Sequence, residues 1–190
     1  TRILSGTYIE NKESFNIERN TLAPEKNQLI TPWARSERPG YINGGNKFDL
    51  DKWDEAYFER LREFVGMAEE LDIIVEMTLF SSTYHDSYAI YSPLYPDNNV
   101  NFKSLYHRTK WHATTGGRLF EYQKKLVRKI VEELNEFDNV IFEIHNEPWA
   151  DQGVVKLTYN HYIKESNPGW VNVAELASEA SLEWRKEIAN

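Results

Sequence analysis

Two hydrophobic periods alternate along the chain. The opening stretch TRILSGTYIE (1–10) is rich in β-branched and aromatic residues and reads as a strand. A polar span follows over 11–47, where TPW, RPG and NGG are turn signals, so this span reads as a loop. The segment DLDKWDEAYFERLREFVGMAEEL (49–71) then carries Trp53, Tyr57, Leu61, Phe64, Val65, Ala68 and Leu71 at helical spacing, with Asp49 and Asp51 as N-cap candidates. DIIVEMTLF (72–80) reads as a second strand, entered directly from that helix. A long aromatic-rich loop leads to a helix over 118–137, with Leu119, Tyr122, Leu126, Ile130 and Leu134 on one face. The dipeptide Asp138-Asn139 turns the chain into VIFEIHNE (140–147), a third strand. After another long loop, a last helix is expected from about 171, with Val173, Leu176, Ala180, Trp184 and Ile188 as its stripe.

The order is therefore strand then helix, three times, with no internal repeat, low-complexity tract or linker. Strands and helices alternating at this length imply parallel pairing in an α/β fold with a single domain. The connections are lopsided. Helix-to-strand links are a few residues long, while strand-to-helix links are long and hold most of the Trp, Tyr, His and Asn. In parallel α/β folds those long loops gather at the carboxyl ends of the strands, where sites are built.

Composition narrows the partners. The net charge of −8 lacks the basic footprint that nucleic acid and anionic membranes require, so neither is expected, and no run is long enough to span a bilayer. A neutral ligand is compatible with that charge. There is no Cys, which excludes disulfides and thiolate metal sites and leaves the compartment open, a secreted or periplasmic setting being slightly favoured. The aromatic share of 14% includes 6 Trp and 11 Tyr, residues that suit flat or ring-shaped ligands. The chain starts at Thr1 rather than Met and reads as processed or partial.

The chemistry concentrates at Asn146-Glu147-Pro148-Trp149. A buried strand that only packs has no use for a carboxylate, an amide and an indole at its end. Pro148 stops the ladder, Asn146 can offer its amide to a hydroxyl, and a carboxyl beside the Trp149 indole is partly desolvated, which suits Glu147 to general acid work. His145 either orients the site or packs. Trp33, Tyr84, Trp111 and Trp149 are the candidate rings for stacking on a flat or ring-shaped ligand, one or two as subsite walls and the rest packing under loops. His85, His107 and His112 share one loop without ligand spacing, so no metal is expected. Asn43–Gly45 and Thr114–Gly117 read as turns rather than phosphate loops.

FEIHNEPW resembles the end of the fourth strand in clan A glycoside hydrolases, which are (β/α)8 barrels. TRILSGTY resembles the second strand of cellulase-like members. KFDLDKWDEAYFERLREFVGMAEELDIIVEMTLF resembles their second helix and third strand, and SPLYPDNNVN their long third loop. The resemblance covers nearly the whole chain. It implies retaining hydrolysis of a β-linked poly- or oligosaccharide without a cofactor. Glu147 would be the general acid/base, Asn146 the contact to the sugar 2-hydroxyl, and Arg2 the support for the catalytic carboxylates. Such a barrel needs eight strands and roughly 250 residues. About three βα units are present here, matching strands two to four, so residues 1–190 are expected to be one partial catalytic-barrel domain. The attacking carboxylate, which the family carries at the end of strand seven, would then lie outside this chain. Glu10, Asp86 and Asp97 are the stand-ins on the correct face. Glu76 and Glu143, inside strands, read as structural partners for Arg2. Open sheet edges would be met by the remaining barrel half or by self-association. The alternative is a catalytically incomplete sugar-binding remnant or fragment.

Overall fold

A computed structural model describes residues 1–104, 107–108, 111–112 and 117–147. The expected last helix and Trp149 lie outside the described residues. Three strands, β1 (Arg2–Leu4), β4 (Val75–Ser81) and β5 (Val140–Asn146), form a parallel sheet in the order β1-β4-β5. The expected parallel α/β arrangement is thus present, with its third strand ending at Asn146, directly before Glu147.

Alternation along the strands separates two faces. Val75, Met77 and Leu79 of the central strand are fully buried, and Ile3, Val140, Phe142 and Ile144 pack around the same core. Helices α1 (Glu55–Glu70) and α3 (Arg118–Leu134) supply the other half of that core through Phe58, Leu61, Val65 and Ala68, and through Leu119, Tyr122, Leu126, Val127, Ile130 and Leu134. An Arg62–Glu133 ion pair joins the two helices. The register sets Arg2 opposite Glu76 and Thr78 opposite Glu143, so the alternate residues of the sheet present polar groups away from this core.

Residues 33–53 correct the expected pattern. They form an antiparallel hairpin, β2 (Trp33–Pro39) and β3 (Asn46–Trp53), inside what reads as a loop and the start of a helix. Phe48 and Leu50 point into the core while Asp49 and Asp51 point out, a period of two. Asp49 and Asp51 are therefore strand residues rather than caps. The N-cap of α1 is Asp54, whose Oδ1 accepts from Ala56 N at 3.2 Å. Trp53 ends the hairpin, and Leu71 and Phe64 stand 69% and 38% exposed, so the buried face of α1 is narrower than the sequence pattern suggests.

The long connection from β4 to α3 is pinned where it is described. It holds α2 (Asp86–Ala89) and a 3₁₀ turn at Pro96–Asn98. Asn98 Nδ2 donates to Ile90 O at 2.6 Å and Ser92 O at 2.8 Å, and Asn99 Nδ2 donates to Pro93 O at 3.0 Å and Tyr95 O at 2.9 Å. Asn99 also bridges to Phe48 of the hairpin, and Ser92 Oγ donates to Thr7 O at 3.1 Å. Asn98 and Asn99 therefore hold this loop together, Asn99 ties it to the hairpin, and Ser92 ties it to the segment after β1.

Candidate active site

Asn146 and Glu147 leave β5 beside the end of β4, where Ser81 pairs in register with Asn146. Glu147 adopts a left-handed backbone conformation, φ 49°, which costs a non-glycine residue free energy and persists only where neighbours hold it. Those neighbours are the SSTY residues (81–84) that end and follow β4. Ser82 Oγ donates to the carbonyl of Glu147 at 2.5 Å, Tyr84 Oη donates to Glu147 Oε2 at 2.6 Å, and Ser81 Oγ accepts from Asn146 Nδ2 at 3.2 Å. Backbone and side chain of Glu147 are thus held from one short segment.

The amide of Asn146 is fully oriented. Its Oδ1 accepts from Arg2 Nη2 at 2.9 Å, and its Nδ2 donates to Tyr84 Oη at 2.9 Å as well as to Ser81. Arg2 is oriented in turn. Its Nε donates to Thr78 Oγ1 at 2.9 Å, its Nη2 pairs with Glu143, and Thr78 Oγ1 donates to Glu143 Oε2 at 2.7 Å. Of the two strand glutamates expected to pair with Arg2, Glu143 is the one joined to it, and it sits on the path to Asn146.

The phenol of Tyr84 is held above the ordinary range for tyrosine, first by burial and then by its hydrogen bond to Glu147 and that residue's charge. It therefore keeps its proton across the neutral range. Its ring lies edge-to-face with Tyr8 (5.8 Å between centroids, 86°) and Phe15 (6.2 Å, 88°). The role expected of Tyr84 was a stacking ring, but its hydroxyl makes the contacts to Asn146 and Glu147. Ser81, Ser82 and Thr78 were not singled out from the sequence. The signal for Ser81 and Ser82 was a polar triplet, Ser-Ser-Thr, after an apolar run; Thr78 lies inside that run and gave none.

The remaining candidates fall elsewhere. Trp33 is 1% exposed and stacks on Trp53 at 6.3 Å, and Trp111 is 3% exposed with its carbonyl accepting from Gln123 at 3.0 Å. Both indoles pack inside the protein, which places them with the rings expected to pack rather than with the one or two expected as subsite walls. His145 is buried, its Nε2 3.4 Å from Ser82 Oγ, which in turn holds the Glu147 carbonyl, and its ring 4.6 Å from that of His112. Two of the three stand-in carboxylates are engaged by the protein. Glu10 is buried and accepts from Tyr8 Oη at 2.8 Å and Asn20 Nδ2 at 2.5 Å, and Asp86 pairs with Arg108 and His107. Asp97 lies in the 3₁₀ turn.

The parallel α/β sheet sets Asn146 and Glu147 at a strand's carboxyl end, the end at which barrel folds build their sites. Residues 29–181 match the model of the cellulase family, glycosyl hydrolase family 5. That match spans most of the chain, and the chain belongs to this family. It is accordingly a member of a family of glycoside hydrolases with (β/α)8 barrels, and its sheet supplies three parallel strands of that design. No curated protein and no solved structure matches the chain.

Proposed function

We propose that the protein hydrolyses β-linked poly- or oligosaccharides with retention, with Glu147 as general acid/base. The observation that supports this most is the double restraint of Glu147, its carbonyl on Ser82 and its carboxylate on Tyr84, at the carboxyl end of β5. A catalytic acid must be held in a productive orientation, and an ordinary loop glutamate has no need of two such contacts.

In the first step Glu147 gives its proton to the glycosidic oxygen as the C1–O bond breaks and an attacking carboxylate bonds to C1. In the second, Glu147 takes a proton from water, whose oxygen displaces that carboxylate from C1. The attacking carboxylate is the one this family carries on a later strand, outside residues 1–190; among the described stand-ins, Glu10 is engaged by Tyr8 and Asn20 and Asp86 by Arg108 and His107. Asn146 contacts the sugar 2-hydroxyl. Both of its amide hydrogens are engaged by Ser81 and Tyr84, so it acts as an acceptor through the second lone pair of Oδ1. Arg2 supports that amide from behind.

Glu147→Gln should lower hydrolysis of β-linked oligosaccharides by about 10²–10⁴-fold while leaving their binding in place. Turnover unchanged in this variant overturns the assignment. Oligosaccharide binding by the wild type with no turnover supports instead a sugar-binding remnant, for which the same engaged carboxylates speak.

A further inference from the structure

The direction of each hydrogen bond around Glu147 is fixed by the one before it. A guanidinium has donors and no acceptor, so the atom of Asn146 that faces Arg2 must be the oxygen. The amide nitrogen then faces Tyr84 and donates to it, which occupies the phenol oxygen as an acceptor. The phenol's single hydrogen is left for Glu147 Oε2, 2.6 Å away. Rotating the amide would set its NH₂ against the guanidinium, donor to donor, in a site where Thr78 and Glu143 hold Arg2 in place.

From this we propose that Tyr84 is a positioning residue, the last link of a one-way chain running Arg2 to Asn146 to Tyr84 to Glu147. The chain holds Oε2 of Glu147 as a permanent acceptor and confines its transferable proton to Oε1. The proposal rests on Glu147 being the acid/base and adds which oxygen performs the transfer. It also gives Arg2 and Asn146 a second task, since the sugar contact and the orientation of the acid share one amide. The phenol suits a fixed donor because burial and the neighbouring carboxylate keep its proton in place. In both steps of the reaction the proton leaves from and returns to Oε1, and the Tyr84 hydrogen stays on Tyr84.

Two measurements on the full chain test this. The first needs no turnover: the side-chain ¹H–¹⁵N amide signals of Asn146 in wild type, Tyr84→Phe and Arg2→Met. In Tyr84→Phe one of the two amide protons should lose its acceptor, move upfield and exchange faster with water, while the other, on Ser81, stays. Unchanged signals in Tyr84→Phe overturn the chain. The second is kcat/KM on aryl β-glycosides of graded leaving-group ability. Tyr84→Phe should lose about tenfold to a hundredfold on poor leaving groups, the range for a hydrogen bond to a charged group, and little on activated ones, with KM unchanged. A uniform loss across the series would mean a purely structural role and overturns the proposal. The loss from Arg2→Met should shrink in the Tyr84→Phe background, because both act through one chain, whereas additive losses overturn the link. Glu147→Gln in the same series separates the two claims. If it too shows no dependence on the leaving group, the acid/base reading itself has failed. If it does and Tyr84→Phe matches wild type, only the chain has.

Discussion

The hydroxyl of Ser82 donates to the backbone carbonyl of Glu147 across 2.5 Å, joining the residue after β4 to the residue after β5. Ser82 is fully buried, and the carbonyl it holds belongs to a residue in left-handed conformation. Parallel strands end side by side, and this bond locks their two exits together. Ser82→Ala should destabilise the protein by about 1 kcal/mol, the net worth of one buried hydrogen bond. It should also lower kcat more than it raises KM, because Glu147 loses its backbone restraint while the sugar contacts stay. Thermal unfolding and steady-state kinetics on the same preparation separate the two effects.

Asp54 caps α1, and Asp49 and Asp51 do not. Asp54→Ala should cost about 1 kcal/mol in urea unfolding. Asp51→Ala removes no cap and should show no helix-cap loss, its effect arising from the contacts of Asp51 with Asn101 and Tyr122. Equal loss of helical circular dichroism from both variants would contradict the boundary between β3 and α1.

Trp33 is a core residue, stacked on Trp53. Trp33→Ala should lower stability by about 3–5 kcal/mol through loss of buried surface and the cavity left behind. A variant that keeps its melting temperature but loses sugar binding would restore the platform reading.

Alkaline pH should unfold the protein. The phenols of Tyr8, Tyr41, Tyr57 and Tyr84 are all held above the ordinary tyrosine value of 10.0, burial being the first cause in each. The folded state therefore keeps protons that the unfolded chain releases. Stability is full below the unfolded value and declines as the pH rises from there toward the raised folded values. Tyr57→Phe, which removes a phenol raised by burial alone, should make the decline shallower in urea titrations between pH 8 and about 11.

Much of the framework was legible in the sequence, and the reasons differ by element. The apolar stripe of α3 is long and regular, so its face follows from periodicity, and the runs at β4 and β5 are apolar enough to mark buried strands. The hairpin was hidden because Phe48 and Leu50 give only one short alternation, flanked by aspartates that resemble helix caps. Asn146 and Glu147 could be named because a carboxylate and an amide are conspicuous at a strand's end, and Arg2 only through the resemblance of its strand to cellulase-like barrels. The clamp from Ser81, Ser82 and Tyr84 could not, since small hydroxyl residues are common and their value here comes from a register that only pairing of β4 with β5 supplies. Tyr84 illustrates the limit most clearly: its presence near the site was readable, but whether it acts through its ring or its hydroxyl depends on where Asn146 and Glu147 lie.

The role of Glu147 is tested most directly by chemical rescue. Glu147→Ala is assayed on an activated aryl β-glycoside with and without azide, and the product is identified by NMR. As the acid/base of a retaining enzyme, its loss should leave the first step nearly intact and slow the second, and azide should restore turnover and yield a β-glycosyl azide. No acceleration by azide, or an azide product of inverted configuration, would contradict the account.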